Sequence, residues 1–206
     1  MRCRSIDVMP RFLGSLALVA LLALSAAGGG TSAPTRLGHF SDKNLKLSFD
    51  YPGSWHLRRA DPAWTTSSFG YPIVYASTQP LHGQCNPRTA SYMTSITCGR
   101  PLDRLDRGGI LVTVSLEASP IWTLAKARGK RVKIAGRPAK LATDWPGACH
   151  RSVNAGETIT TSIQILNVTS NNWIDVQVCL RRPGLVTGER QVRSILSSLE
   201  LRGSKR

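Results

Sequence analysis

Apolar and polar residues alternate along much of this chain. In "LKLSFDY", Leu45, Leu47 and Phe49 alternate with Lys46, Ser48 and Asp50. That is the period of a strand with one buried face. "WHLRR" predicts a second short strand after a turn. In "ILVTVSLE", Ile110, Val112, Val114 and Leu116 fall on one face, with Thr113, Ser115 and Glu117 on the other. "ETITTSIQILNV" and "NWIDVQVCL" predict a hairpin across "TSNN". Its apolar face carries Ile159, Ile163, Ile165, Ile174, Val176, Val178 and Leu180. Its polar face carries Thr160, Ser162, Gln164, Asp175, Gln177 and Cys179. "KRVKI" and "PAKLAT" flank a turn at "AGR".

Two segments change period. "SPIWTLAKARG" predicts a short helix with Ser119 as N-cap, Pro120 in the first position and Gly129 as stop. "TGERQVRSILSSLEL" puts Val192, Ile195, Leu196 and Leu199 at helical spacing behind Thr187 as N-cap. Hairpins with two interrupting helices predict an α+β fold of one domain, an antiparallel β-sheet with packing helices. One sheet face should lie under helices. The other should be more polar, or covered by residues 60–109. That excursion holds Pro62, Pro72, Pro80, Pro87 and Pro101, and only "PIVYAS" and "YMTSIT" within it look like strands. A long irregular stretch in a compact domain is either functional or conceals elements.

The N-terminus follows another logic. A basic head with Arg2, Arg4 and Arg11 precedes an apolar run from Phe12 to Ala27, then "GGGTSAPT". This predicts a secretory signal peptide over 1–27 and a flexible leader over 28–39. The domain itself is expected over 40–202, with a basic tail at 203–206. The run is short of the roughly 20 apolar residues of a membrane span, although an uncleaved anchor is the competing reading. No Cys follows the run, so lipidation as a bacterial lipoprotein is not expected. Cys3 leaves with the signal. An exported location in the cell envelope follows.

Cys85, Cys98, Cys149 and Cys179 remain, an even number that predicts two disulfides in an oxidising compartment. Four cysteines allow three pairings. Cys85–Cys98, a short local loop, with Cys149–Cys179 is the favoured one.

"LSFDYPGSWHL" resembles the opening of the PsbP-like sandwich family, and "RSILSSLEL", Arg193 to Leu201, resembles that family's closing helix and short strand. The turn in "VKIAGRPAKL" is compatible. Actinobacterial LpqN-type envelope proteins look most similar. The resemblance implies an α/β/α sandwich with helices on both sheet faces. Its motifs are structural, so they support a fold and say little about activity.

Chemistry is sparse. "DYPGSWH" (Asp50 to His56) and "DWPGACH" (Asp144 to His150) repeat one pattern. Pro then Gly is turn chemistry, and an aromatic before Pro suits extended backbone. Only the histidines are left over. His39, His56, His82 and His150 form no HxH or HExxH, and no CxxC, GxSxG or phosphate-binding glycine motif occurs. No cofactor or metal is expected. "HGQC" is better read as a disulfide cysteine than a catalytic pair, and "LDRLDRGG" as a solvated, self-paired loop.

Charge adds one feature. The chain carries +15, and "KARGKRVKIAGRPAK" contains no acid. Lys130, Arg131, Lys133, Arg137 and Lys140 are the candidate face for an anionic partner, with Arg131 and Lys133 opposite Val132 and Ile134 on the strand. The partner would be an envelope protein, an anionic lipid or a wall polymer, with peripheral membrane contact. Aromatics do not interleave with the basic run, which argues against nucleic acid. Solubility alone is the competing account of the charge. The rival function is a pocket protein, or an enzyme, with Trp64, Phe69 and Tyr71 forming a small-molecule or lipid wall.

N-terminal sequencing of the exported protein should begin at Gly28, with no added lipid mass. A full-length chain retained in the membrane would show that the apolar run serves as an anchor.

Overall fold

The structure, a computed structural model, describes residues 36–60, 70–82, 101–144, 147–164 and 172–201. The signal segment, most of the leader, Trp64, Phe69, "YMTSIT", Cys85 and Cys98 lie outside the described residues.

The described chain is mainly antiparallel β-sheet, in two sheets. β1 (Leu37–Asp42), β2 (Leu47–Pro52) and β10 (Glu200–Leu201) form the small one, in the order β1-β2-β10. The large sheet is built from β3 (His56–Arg59), β4 (Gly70–Ser77), β5 (Ile110–Ala118), β6 (Lys130–Ile134), β7 (Arg137–Asp144), β8 (Glu157–Gln164) and β9 (Asn172–Leu180). Its order is β3-β4-β5-β9-β8-β7-β6. Helix α1 (Ala148–Val153) precedes β8, and α2 (Leu185–Ser198) precedes β10.

Alternation explains the main core. Ile110, Val112 and Val114 of β5 meet Leu180, Val178 and Val176 of β9 across the ladder. All six are buried. On that inner face they pack with Phe40, Leu47 and Phe49 of the small sheet and Val192, Ile195 and Leu196 of α2. Ile159 opposes Val178 and Ile163 opposes Ile174, so the apolar residues of the predicted hairpin share one face.

The outer face bears out the expectation that residues 60–109 cover part of it. Leu102 and Leu105, 1% and 0% exposed, pack on Tyr75, Leu111, Cys149, Val153 and Cys179 in a second core. The "LDRLDRGG" loop therefore acts through its leucines, with Asp103, Arg104, Asp106 and Arg107 in solvent. Cys149 on α1 and Cys179 on β9 form one of the two favoured disulfides, with Cα atoms 5.4 Å apart.

Several expectations are corrected. Residues 119–129 form a strap of turns instead of a helix, with Trp122, Lys126 and Ala127 each donating an N–H to the carbonyl three residues back. Length explains this. The strap must cross from β5 to β6, four strand spacings or about 19 Å, whereas an eleven-residue helix reaches about 16 Å. Gly129 does close the segment, at φ +101°, where a side chain would strike the Leu141 carbonyl. Helix α2 begins two residues before Thr187, on Gly184. Strand β1 takes in Leu37 to His39, assigned above to the leader. Only Phe40 in that strand is buried, so its pairing with β2 left no apolar alternation to read. The turn after β2 is shifted by one residue, since Trp55 N–H donates to the Pro52 carbonyl at 2.9 Å. The second copy of the motif starts α1, with Gly147 as N-cap. The repeated spelling thus serves two different local structures.

Replacing Cys149 and Cys179 with Ala together should cost about 3–4 kcal/mol in the chain-entropy account of a thirty-residue separation. Leu105→Ala should cost about 2–5 kcal/mol. Urea unfolding measures both. No loss in the cysteine double variant would mean that packing alone holds α1 to the sheet.

Candidate functional site

Two concave regions share the outer face of the large sheet, and the strap borders both. The first lies over the β6–β7 hairpin. Its turn has positive φ at Ala135 (52°) and Gly136 (72°), the two-residue geometry that matches strand twist. This fixes the register Arg131↔Lys140 and Lys133↔Pro138. Arg131, Lys133 and Lys140 therefore stand on one face, around a groove of about 630 Å³ whose apolar side chains are Leu124, Ala125 and Pro138.

The other two residues of the candidate face stand apart. Arg137 pairs with Ile134 across the hairpin and so points inward. It is 7% exposed, and its Nη2 lies 3.5 Å from the Leu201 carbonyl. Counting every cation in the basic run as surface missed the inward parity of Arg137. Lys130 pairs with Leu141 and shares the parity of Val132, although it is exposed.

The second region is a cavity of about 280 Å³ near the far end of β5 and β9. The indoles of Trp122, from the strap, and Trp173, from β9, stack at 4.3 Å with planes 8° apart. Beside them stand Glu117 of β5 and Asp175 of β9, with Asp144 of β7 and Arg128 of the strap also lining the space. Ser162 Oγ donates to Asp175 Oδ1 at 3.0 Å. Among the described residues no salt bridge reaches Glu117 or Asp175. Burial, then the charge of Asp175, pushes Glu117 up to about 7, against a smaller opposing effect of Ser115. Burial pushes Asp175 up to about 6, and its bond from Ser162 opposes this.

Sequence reasoning placed Glu117 and Asp175 on polar strand faces but did not join them. Joining them requires knowing that β5 pairs with β9. Trp122 was assigned to a helix that does not form.

Tyr71, the described member of the predicted aromatic wall, is half-buried against the main core and borders a different cleft with Arg59 and Asp42. His56 on β3 and His150 on α1 are both exposed. Among the described residues no group of three His, Cys, Asp or Glu is placed to hold a metal ion. No helix among the described residues is long and apolar enough to cross a membrane. No family model, curated protein or solved structure matches this chain.

The two raised carboxyls make stability depend on pH. Their folded values, about 7 and about 6, lie above the ordinary 4.5 and 3.8. The folded state then holds protons that the unfolded state has released. Their contribution is full below about pH 4 and is lost as pH rises through 6 to 7. Replacing both, Glu117→Gln with Asp175→Asn, should remove a loss on the order of 1 kcal/mol per group between pH 5 and pH 8. Denaturant melts at the two pH values measure it. An unchanged pH slope in the double variant would mean that these groups are solvated.

Proposed function

We propose that this chain is an exported envelope protein with a PsbP-like sandwich fold, acting as a non-enzymatic module that docks on an anionic lipid surface. The observation that carries the reading is the groove in which Arg131, Lys133 and Lys140 surround an apolar floor. Cations attract phosphate headgroups, and the floor offers contact to apolar chains. Ile121, 75% exposed on the same strap, is a further apolar side chain open to such a surface. A wall polymer would use the cations but leave the apolar floor without a role. The Cys149–Cys179 disulfide supports an oxidising compartment. Placement of α1 and α2 on opposite faces of the large sheet supports the sandwich, as does the closing α2–β10.

A competing account is that β6, an edge strand, carries cations only to discourage pairing with other chains. Glutamates would guard that edge equally well. Replacing Arg131, Lys133 and Lys140 with Glu therefore separates the two accounts. Sedimentation with phosphatidylglycerol vesicles at low salt should retain the wild type and release the variant. Binding should fade as salt rises, because screening acts over about 8 Å at physiological ionic strength. The melting temperature should change little, since exposed charge pairs contribute roughly 0–1 kcal/mol. Equal binding by wild type and variant overturns the proposal, as does wild-type binding to a soluble polyanion without binding to vesicles.

A further inference from the structure

The cavity beneath the strap has features that docking on an anionic surface does not use. It is negative in a chain of net charge +15. Lys and Arg outnumber Asp and Glu by 27 to 12, yet neither Glu117 nor Asp175 has a salt-bridge partner among the described residues. Carboxylates removed from water without a counter-charge are costly unless something supplies one. The adjoining wall is a pair of stacked indoles, and an indole face attracts cations. The volume, about 280 Å³, lies just under the usual small-molecule range of about 300–1,000 Å³.

We propose that this cavity binds a small organic amine, its ammonium group held between the Glu117 and Asp175 carboxylates and its carbon chain lying against Trp122 and Trp173. Ser162 positions Asp175 through the 3.0 Å bond to Oδ1. The side chains that face the bound charge are Glu117 from β5, Asp175 from β9, Asp144 from β7 and Arg128 from the strap. Lys140, opposite Ser162 on β7, faces the neighbouring groove instead. Arg128, the one cation lining the cavity among the described residues, disfavours a ligand with a second positive charge at that side and suits one bearing a carboxylate there. An ammonium ion favours the ionised form of both acids. Binding should therefore strengthen as pH rises through the values of about 6 and about 7, with release of protons.

Calorimetric titration with γ-aminobutyrate, 1,5-diaminopentane and glucose, at about pH 5 and about pH 8, tests this. γ-Aminobutyrate should bind more tightly than the diamine, and glucose should not bind. Affinity should fall about tenfold or more at the lower pH, a change of about 1.4 kcal/mol. Glu117→Gln and Asp175→Asn should each weaken binding to a similar degree at the higher pH. Substituting Glu for Arg131 and Lys133 alone, on the edge strand three strands away from Asp175, should leave amine binding within about twofold, so failure of the surface reading would not be mistaken for failure of this one. Should an acid variant fail to fold, the pH dependence of the wild type decides. Binding of glucose in place of amines, pH-independent amine binding, or no amine binding at all overturns the proposal.

Discussion

The pairing of β5 with β9 is the constraint on which the rest depends. Nine positions of each strand align, from Ile110↔Leu180 to Ala118↔Asn172. These segments lie more than fifty residues apart, so nothing local brings them together. What does is that both alternate over most of their length and that each has an apolar face to bury. Once aligned, Ile110, Val112 and Val114 and their partners close the inner core against α2 and the small sheet. A slip of one position would turn those side chains to solvent and draw Thr113, Ser115 and Gln177 inward. The same ladder opposes Leu111 to Cys179 at one end of the outer face and Glu117 to Trp173 at the other.

The outer face is therefore graded. At the Cys179 end it is apolar, covered by Leu102, Leu105 and α1. At the Trp173 end it is polar and open enough to leave a cavity. Along one cross-strand row the register places Arg131 opposite Lys140, Lys140 opposite Ser162, Ser162 opposite Asp175, and Asp175 opposite Ser115. Positive charge gathers at the sheet edge and a carboxylate sits two strands further in, with Ser162 between them. The basic groove and the acidic cavity are thus neighbouring parts of one surface with opposite charge.

How much of this could be read from the chain varies with the range of the interaction concerned. The β8–β9 hairpin was legible because its alternation is local and long. The position of α2 was legible from Val192, Ile195 and Leu196, although its start was misplaced because Gly184, not a side chain, stands at the N-cap. Helix α1 was not legible. Its Cys149 N–H is satisfied by Thr158 Oγ1 at 3.1 Å, a partner from β8. Arg137 was placed on the surface because a basic run looks uniform until the hairpin register assigns a parity to each member. The cavity was invisible for a stronger reason. Its members come from β5, the strap, β7, β8 and β9, and only the long-range strand order assembles them.

The strap unites these points. Local signals at Ser119, Pro120 and Gly129 favour a helix. A helix would have to cover four strand spacings with too little length, and it would turn Trp122 away from its stack on Trp173. Tertiary geometry prevails because a stacked aromatic pair contributes about 0.5–1.5 kcal/mol beyond area burial, while an isolated helix of this length is marginal in water. The resulting chain of turns places Leu124 and Ala125 on the groove and Trp122, Ala127 and Arg128 on the cavity. The failure of local propensity at this segment is the same event that forms the walls of both concave regions. A sequence rule broken by tertiary geometry marks the part of this fold where both concave regions are walled.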